Sequence, residues 1–240
     1  MQLYLYAITD RPDRPLPDQA GLDDAPLAQI VWRDIAAVVS AQDRAHLSAT
    51  PDQIWRHEDV LESLMRDRTV LPVRFATRPA ARQLIGDMLS AAYPGFVQDI
   101  ERVRDHVEIG MRFLMAEPTL GAEDVLAAPA HPGGPGSAYL RRRLAQEVAL
   151  RHRQRARLTI VRDICRLLAK HASASRLDDG PDDRASAAFL VPRDRVAPFR
   201  EVVGEAAHAH PELALLCTGP WPPYSFVDAG ARAPGEACHG

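Results

Sequence analysis

The sequence predicts an α+β protein. Three observations carry that reading. Val107, Ile109, Met111 and Phe113 alternate with His106, Glu108, Gly110 and Arg112, the period-two pattern of a half-buried strand. Thr50-Pro51-Asp52-Gln53 opens a segment of helical periodicity with a capping residue and a proline suited to the first turn. Strand and helix signals then follow one another with no strict βαβ alternation, which favours a mixed architecture over a doubly wound one.

In chain order, Leu3 to Ile8 is rich in large apolar and aromatic residues and reads as a strand. Thr9 to Pro26 carries Pro12, Pro15, Pro17 and Gly21 and reads as a mobile loop. Leu27–Trp32 and Ile35–Ser40 are apolar runs separated by Arg33-Asp34, a two-residue hairpin connection. Thr50 caps a helix in which Gln53 completes a capping box, with Ile54, Leu61, Leu64 and Met65 on one face. Thr69–Phe75 is a strand confined by Pro72 to an edge or bulge. Pro79 opens a second helix, Pro94-Gly95 breaks it, and Phe96, Ile100 and Val103 mark a short third one.

The second half begins with the alternating strand at His106–Leu114. Glu117–Gly136 is a long loop, and a helix runs from about Ser137 to Ala172, long enough to project or to bridge the halves. Ser173–Arg184 reads as an acidic loop, Ala187–Val191 as a strand and about Asp194–His210 as a helix whose first turn Pro198 distorts or delays. Leu213–Cys217 is the last core strand. The order of this half is then βαβαβ. Gly219-Pro220-Trp221-Pro222-Pro223-Tyr224-Ser225-Phe226 follows as a proline-stiffened strap that packs its aromatic rings back over the sheet.

Composition narrows function. The chain has 240 residues and a formal net charge of −3, so no global field marks it for nucleic acid. Cys165, Cys217 and Cys238 lack a paired spacing and read as reduced thiols, two of them buried. The start of the chain lacks a basic n-region and a cleavage site, and no apolar run reaches the length of a membrane span, so a cytoplasmic protein that does not enter membranes is expected.

Candidate chemistry is sparse. Walker and Rossmann glycine patterns are absent, and Gly133-Gly134-Pro135-Gly136 reads as a flexible loop. His208 and His210 do not share a helical face, and His57-Glu58 lacks the second histidine of a zinc helix. Asp178, Asp179, Asp182 and Asp183 match no calcium loop. Cys165 reads as a small core hydrophobe. Neither a metal nor a cofactor is expected, nor a catalytic residue. What remains is Arg141-Arg142-Arg143 with Arg151, Arg153, Arg155 and Arg157 on the long helix. Such a cluster can be a solvated face, can grip carboxylates of a protein partner, or can contact phosphates. The partner-binding candidates are therefore Arg151, Arg153, Arg155 and Arg157 on the helix and Trp221, Tyr224 and Phe226 on the strap.

Several runs, taken together and in order, resemble the gas vesicle GvpL/GvpF family: Leu3-Tyr4-Leu5-Tyr6-Ala7-Ile8, Ala37-Val38-Val39-Ser40, His57-Glu58-Asp59-Val60-Leu61-Glu62, Thr69-Val70-Leu71-Pro72-Val73-Arg74-Phe75, Gly136-Ser137-Ala138-Tyr139-Leu140 and the strap. The sequence departs from the family at Ala76, where a glycine is usual after the phenylalanine, and at Ser137, where a basic residue is common. The resemblance implies two domains, the second a modified ferredoxin-like fold; with the element order read above, these are 1–104 and 105–228, the latter with the long helix, and 229–240 reads as a disordered tail. It also implies a non-enzymatic accessory or minor structural protein of the gas vesicle. Its expected partners are the very hydrophobic shell protein and other accessory proteins, with no nucleic acid and no membrane. A nucleic-acid-binding module using the arginine-rich helix is the alternative.

Overall fold

The computed structural model describes residues 2–42, 49–79, 81–115, 135–179 and 185–228. Within these residues the chain forms two four-stranded antiparallel sheets. The first comes from β1 (Gln2–Asp10), β2 (Leu27–Trp32), β3 (Ile35–Gln42) and β4 (Val70–Pro72), in the order β2-β3-β1-β4. The second comes from β5 (His106–Met115), β6 (Ala174–Asp179), β7 (Ala185–Pro192) and β8 (Leu213–Trp221), in the order β6-β7-β5-β8. The helices are α1 (Pro51–Leu64), α2 (Arg82–Ala91), α3 (Tyr93–Val103), α4 (Pro135–Ala169) and α5 (Val196–Ala209).

The first sheet is covered on both faces. Every residue of β1 from Tyr4 to Asp10 is buried, as expected of a central strand between two layers. Tyr4, Tyr6 and Val38 join α1 in one cluster, whereas Leu5, Ile8, Ile35 and Val39 join α2 and α3 in the other. The second sheet is fully covered on one face and only in part on the other, where Leu190 is buried with Phe226 and Val227. Val107, Ile109, Met111, Phe113, Phe189 and Val191 pack beneath α4 and α5. The residues between them point to the opposite side, where Arg112 and Leu216 are exposed. Neither core stops at the boundary between the halves. Leu61 and Leu64 share a cluster with Phe113 and Leu168, and Phe226 and Val227 share one with Leu5 and Ile100.

Most elements fall where the pattern puts them. The β2–β3 hairpin turns on Arg33-Asp34, with Arg33 at φ 56° supplying the left-handed residue such a turn requires. Thr50 accepts a hydrogen bond from the Gln53 amide at 3.4 Å. The reciprocal half of the expected capping box does not form, because the buried Gln53 Oε1 has no partner. Pro198 lies in the first turn of α5, after a 3-10 turn at Arg193–Arg195, so the helix does begin late.

Four expectations are corrected. Ser173–Arg184 is not all loop: Ala174–Asp179 pairs with β7 as β6, so the half reads β5-α4-β6-β7-α5-β8. Its residues from Ser175 to Asp178 are exposed, because an edge strand on an open face needs no apolar alternation. Next, β8 continues through Gly219 and a cis Pro220 to Trp221, which an edge strand tolerates. Third, the stretch after β1 is anchored: Leu22 is 1% exposed and its amide donates to Tyr6 Oη at 2.7 Å. Finally, Ile54 is exposed, and His57 takes the buried place on α1. The expected loop at Glu117–Gly136 lies almost wholly outside the described residues, as do Asp182, Asp183 and the tail from 229.

The departure at Ala76 has a backbone consequence. Ala76 sits at φ 70°, a conformation that costs a residue with a Cβ roughly 1–2 kcal/mol. Glycine avoids that cost but loses more chain entropy on folding, so Ala76→Gly is expected to stabilise by about 0.5–1 kcal/mol. In a chain of this size that is a rise of roughly 1–4 °C in melting temperature, measurable by calorimetry. A lower melting temperature would show that the turn is unstrained.

Candidate functional site

The strap is where the two halves meet. Gly219 adopts φ +107°, and a Cβ there would lie 2.7 Å from the Glu108 carbonyl oxygen. Only glycine permits this approach. Arg200 Nη2 donates to the Gly219 carbonyl at 2.6 Å and holds the bend from the α5 side. Past it, the chain is tied to three elements.

The first tie is to α1. Tyr224 Oη donates to Glu58 Oε1 at 2.8 Å and lies 3.1 Å from His57 Nε2. On its other side, His57 Nδ1 lies 2.9 Å from Tyr4 Oη, which accepts from the Ala76 amide at 3.1 Å. One assignment of protons satisfies the whole row: Tyr4 donates to Nδ1, Nε2–H donates to Tyr224, and Tyr224 donates to the Glu58 carboxylate. In that assignment His57 is a neutral Nε2–H imidazole. Burial agrees, lowering its pKa from 6.5 to about 4. Burial raises the pKa values of Tyr4, Tyr224 and Glu58, the last against the Tyr224 bond. The imidazole stacks on Tyr6 with a centroid separation of 5.7 Å and meets Phe75 edge-on at 5.8 Å.

The second tie is to β5. Glu108 accepts from the Ser225 amide through Oε2 and from the Ser225 hydroxyl through Oε1, both at 2.7 Å. Burial raises its pKa and the two bonds oppose that rise. The third is to α3. Asp99 accepts from the Asp228 amide at 2.9 Å and from Arg102, which also reaches Asp228 at 3.2 Å. Phe226 and Val227 then bury themselves in the core of the first sheet, and Arg176 lies over the Phe226 ring, 5.8 Å from its centroid.

This network holds parts together. Of its proton-carrying groups, Tyr4 and His57 are 0% exposed, whereas Glu58 and Tyr224 are partly buried. Among the described residues, no group of three or more His, Cys, Asp or Glu side chains is placed to hold a metal ion. No helix among them is long and apolar enough to cross a membrane.

Beside the strap lies an open groove of about 1000 Å³ on the partly covered face of the second sheet. Strand register sets its floor. Arg176, Ala188, Gly110 and Thr218 form one row across β6, β7, β5 and β8, and Asp178, Ser186, Arg112 and Leu216 form the next. The middle of the floor is small: a Cβ on Gly110 would lie 2.8 Å from Thr218 Oγ1. The walls are Trp221 and Arg74, and Leu177 lies at its β6 margin. Trp221, Leu177, Leu114 and Leu216 expose 38%, 39%, 43% and 49% of their surface. Trp221, Leu114 and Leu216 lie on the open sheet face, whereas Leu177 shares the register row of Ala187 and Met111 and lies at the sheet edge.

The residues singled out from sequence separate into different environments. Trp221 forms the groove wall, Tyr224 enters the seam with α1, and Phe226 is 3% exposed in the core. On α4, Arg151 and Arg155 are exposed, Arg151 bonded to Glu147 at 2.6 Å. Arg157 is off the surface: it is 4% exposed and its Nη2 donates to the Phe113 carbonyl at 2.7 Å. The Arg153 side chain lies outside the described residues. Sequence reasoning assigned no role to Tyr4, Glu108 or Asp99, and saw His57 and Glu58 as a failed metal pair within a run that resembles the family. Nothing local marks Glu108 or Asp99, whose partners lie more than a hundred residues away.

The description "Gas vesicle synthesis protein GvpL/GvpF" fits residues 2–228 of this chain. The chain belongs to the GvpL/GvpF family. It is 32% identical over 251 residues to gas vesicle protein L of a Streptomyces species, covering 93% of this chain and 92% of that one. Gas vesicle protein F1 of Halobacterium salinarum is 22% identical over 231 residues, covering 94% and 92%. The crystal structure of GvpF from an Anabaena species superposes with a TM-score of 0.75 at 20% identity over 99% of both chains, and that from Microcystis aeruginosa with 0.71 at 20% identity over 95% of this chain and 99% of that one. This member of the family therefore shares the GvpF fold and has a gas vesicle-related role.

Proposed function

We propose that the protein binds newly made gas vesicle shell subunits, or other accessory proteins, during vesicle assembly, and that the open face of the second sheet is the docking surface. The observation that carries this reading is the groove, with Trp221 half exposed at its wall and Leu216 and Leu114 half exposed on the same sheet face beyond its lining. A subunit built to keep water out of a gas space exposes apolar surface before it assembles, and such surface aggregates unless a partner covers it. An open sheet face with a small floor and an apolar margin suits that task, and Arg74, Arg112 and Arg176 add polar anchors. In this reading the protein is a cytoplasmic, gas vesicle-associated assembly factor and not an enzyme. Its folding units are 1–104 and 105–228, the second a ferredoxin-like arrangement in line with its element order and antiparallel strand order. The exposed arginines of α4 belong to the opposite, helical side of that unit and offer a second contact for an acidic partner.

The test is recovery with a tagged shell subunit. Wild-type protein is expected to co-purify, and Leu216→Ser with Trp221→Ser should reduce recovery roughly tenfold or more, since central aromatic anchors dominate interfaces. Equal recovery of wild type and double variant removes the groove from the proposal. No recovery of wild type, with normal vesicles in a deletion strain, ends it.

A further inference from the structure

A second, smaller cavity of about 150 Å³ lies at the seam, away from the open sheet face. The N-terminal half contributes Arg11 from the end of β1 and Arg66, Asp67 and Arg68 from the turn between α1 and β4. The C-terminal half contributes Asp105, His106 and Arg193. The lining thus includes four arginines, two aspartates and one histidine.

Apart from the Asp105 carboxylate, the side-chain acceptors present are already used. Both Asp67 carboxylate oxygens take bonds from Arg68, at 2.8 and 3.2 Å, and the Asp67 carbonyl takes one from Arg11 Nη1 at 2.9 Å. The guanidinium of Arg68, ahead of weaker attraction from Arg14 and Arg11, holds the Asp67 carboxyl below the usual carboxylate range. Arg193 Nη2 donates to the Met65 carbonyl at 2.8 Å, so it is held at the mouth. His106 is occupied through both ring nitrogens, by the Arg104 carbonyl at 2.5 Å and Ser173 Oγ at 2.8 Å.

Arg68 is the unusual member. Its side chain is 0% exposed. Nε and Nη2 are satisfied by Asp67 and by the Pro15 carbonyl at 2.7 Å, but the buried Nη1 has no acceptor. An unpaired buried donor on a charged group is costly, and native folds retain few of them. Arg11, Arg66 and Arg193 are exposed around the same space. Donors therefore exceed acceptors in a pocket with room for several waters at ~30 Å³ each, ample for a tetrahedral oxyanion.

We propose that this cavity binds a phosphate group, held by the buried Arg68 guanidinium with Arg11, Arg66 and Arg193 at the mouth. The planar fork of arginine suits phosphate oxygens. Because the ligands come from both halves, the bound anion closes the seam and stabilises the folded chain by mass action. This goes beyond the shell-binding reading and does not depend on it.

The test uses the full chain at low ionic strength, with titration calorimetry and thermal melting in inorganic phosphate, and with sodium chloride at matched ionic strength as control. Phosphate is expected to raise the melting temperature where chloride does not. Arg66→Ser, at the exposed rim, should keep the fold and weaken phosphate binding roughly tenfold, the size of one lost charge-assisted bond. Arg68→Met should abolish the response. Should that variant fail to fold, Arg66→Ser combined with Arg193→Gln must still lose the phosphate response. A nucleoside diphosphate tried at the same ionic strength separates the sources: tighter binding than inorganic phosphate assigns the phosphate to a nucleotide, and weaker binding assigns it to the free anion. A phosphate shift no larger than that of chloride, or an unchanged response in Arg66→Ser, overturns the proposal and leaves water as the partner of Arg68.

Discussion

Acidification from pH 7 to 4 is expected to remove about 3 kcal/mol of stability through His57 alone. Burial lowers the folded-state pKa of this residue from 6.5 to about 4, and each tenfold loss of proton affinity corresponds to ~1.4 kcal/mol. The direction follows from proton counting. Between pH 6.5 and 4 the unfolded chain binds a proton at this residue that the fold excludes, so stability is complete above 6.5 and falls as pH drops toward 4. Glu58 and Glu108 run the other way. Burial raises both, so the folded state takes up their protons first, and each contributes stability that grows as pH falls toward the ordinary carboxylate value. The groups packed on the imidazole, Tyr4, Tyr6 and Tyr224, stay neutral throughout, since burial raises all three. His57→Gln isolates the histidine. At pH 7.5 it should cost about 2 kcal/mol, because the hydroxyls of Tyr4 and Tyr224 lose buried partners. Below pH 6.5 its stability should fall less steeply than that of wild type, so the two curves converge and cross at about pH 5. Denaturant unfolding across that range measures both slopes. Parallel curves would mean that a proton reaches His57 in the folded state without penalty.

Why that histidine escaped a reading of the sequence is instructive. His57 lies on the α1 face that carries Val60, Leu61 and Leu64, and Tyr4 and Tyr6 share one side of β1. Periodicity places each of them inward. It does not reveal that the two inward faces meet, nor that the strap arrives 167 residues later to complete the row. Elements with a one-sided apolar pattern were legible for that reason: α1, α3 and β5 bury a face set by local spacing, and the β2–β3 hairpin showed as two apolar runs around a polar pair. By contrast, β6 is held by backbone pairing to β7 and exposes most side chains, so its sequence resembles a loop. Arg157 misleads in the opposite sense. Its spacing to Val161, Ile164 and Leu168 puts it on the buried face of α4, but its charge argued for solvent until the Phe113 carbonyl supplied a partner. The open sheet face was hidden for a different cause. Gly110, Ala188, Ser186 and Thr218 are unremarkable one by one, and only strand register assembles them into a floor.

Phe226→Ala is expected to be among the most damaging single changes in the strap, at roughly 3–5 kcal/mol, the usual cost of emptying a buried phenylalanine site. The ring is 3% exposed among residues of the first sheet and its helices, although the chain has just left the second sheet. Removing it therefore does more than open a cavity. It loosens the segment that presents Tyr224 to Glu58, Ser225 to Glu108 and the Asp228 amide to Asp99. If the strap clasps the halves, these ties fail together: the melting temperature drops, and amide exchange accelerates at Ser225 and Asp228 and in α1. Ser225→Ala is the graded control. It removes one of two bonds to Glu108 and should cost about 1–2 kcal/mol. Trp221 supplies the contrast, because at 38% exposure its ring lines the groove and is not locked into either core. Trp221→Ser should therefore cost less stability than Phe226→Ala while costing more partner recovery. A Phe226→Ala protein that melts like wild type would make the strap a passenger on the surface, and would remove the physical basis for treating its bend at Gly219 and its three anchors as one device.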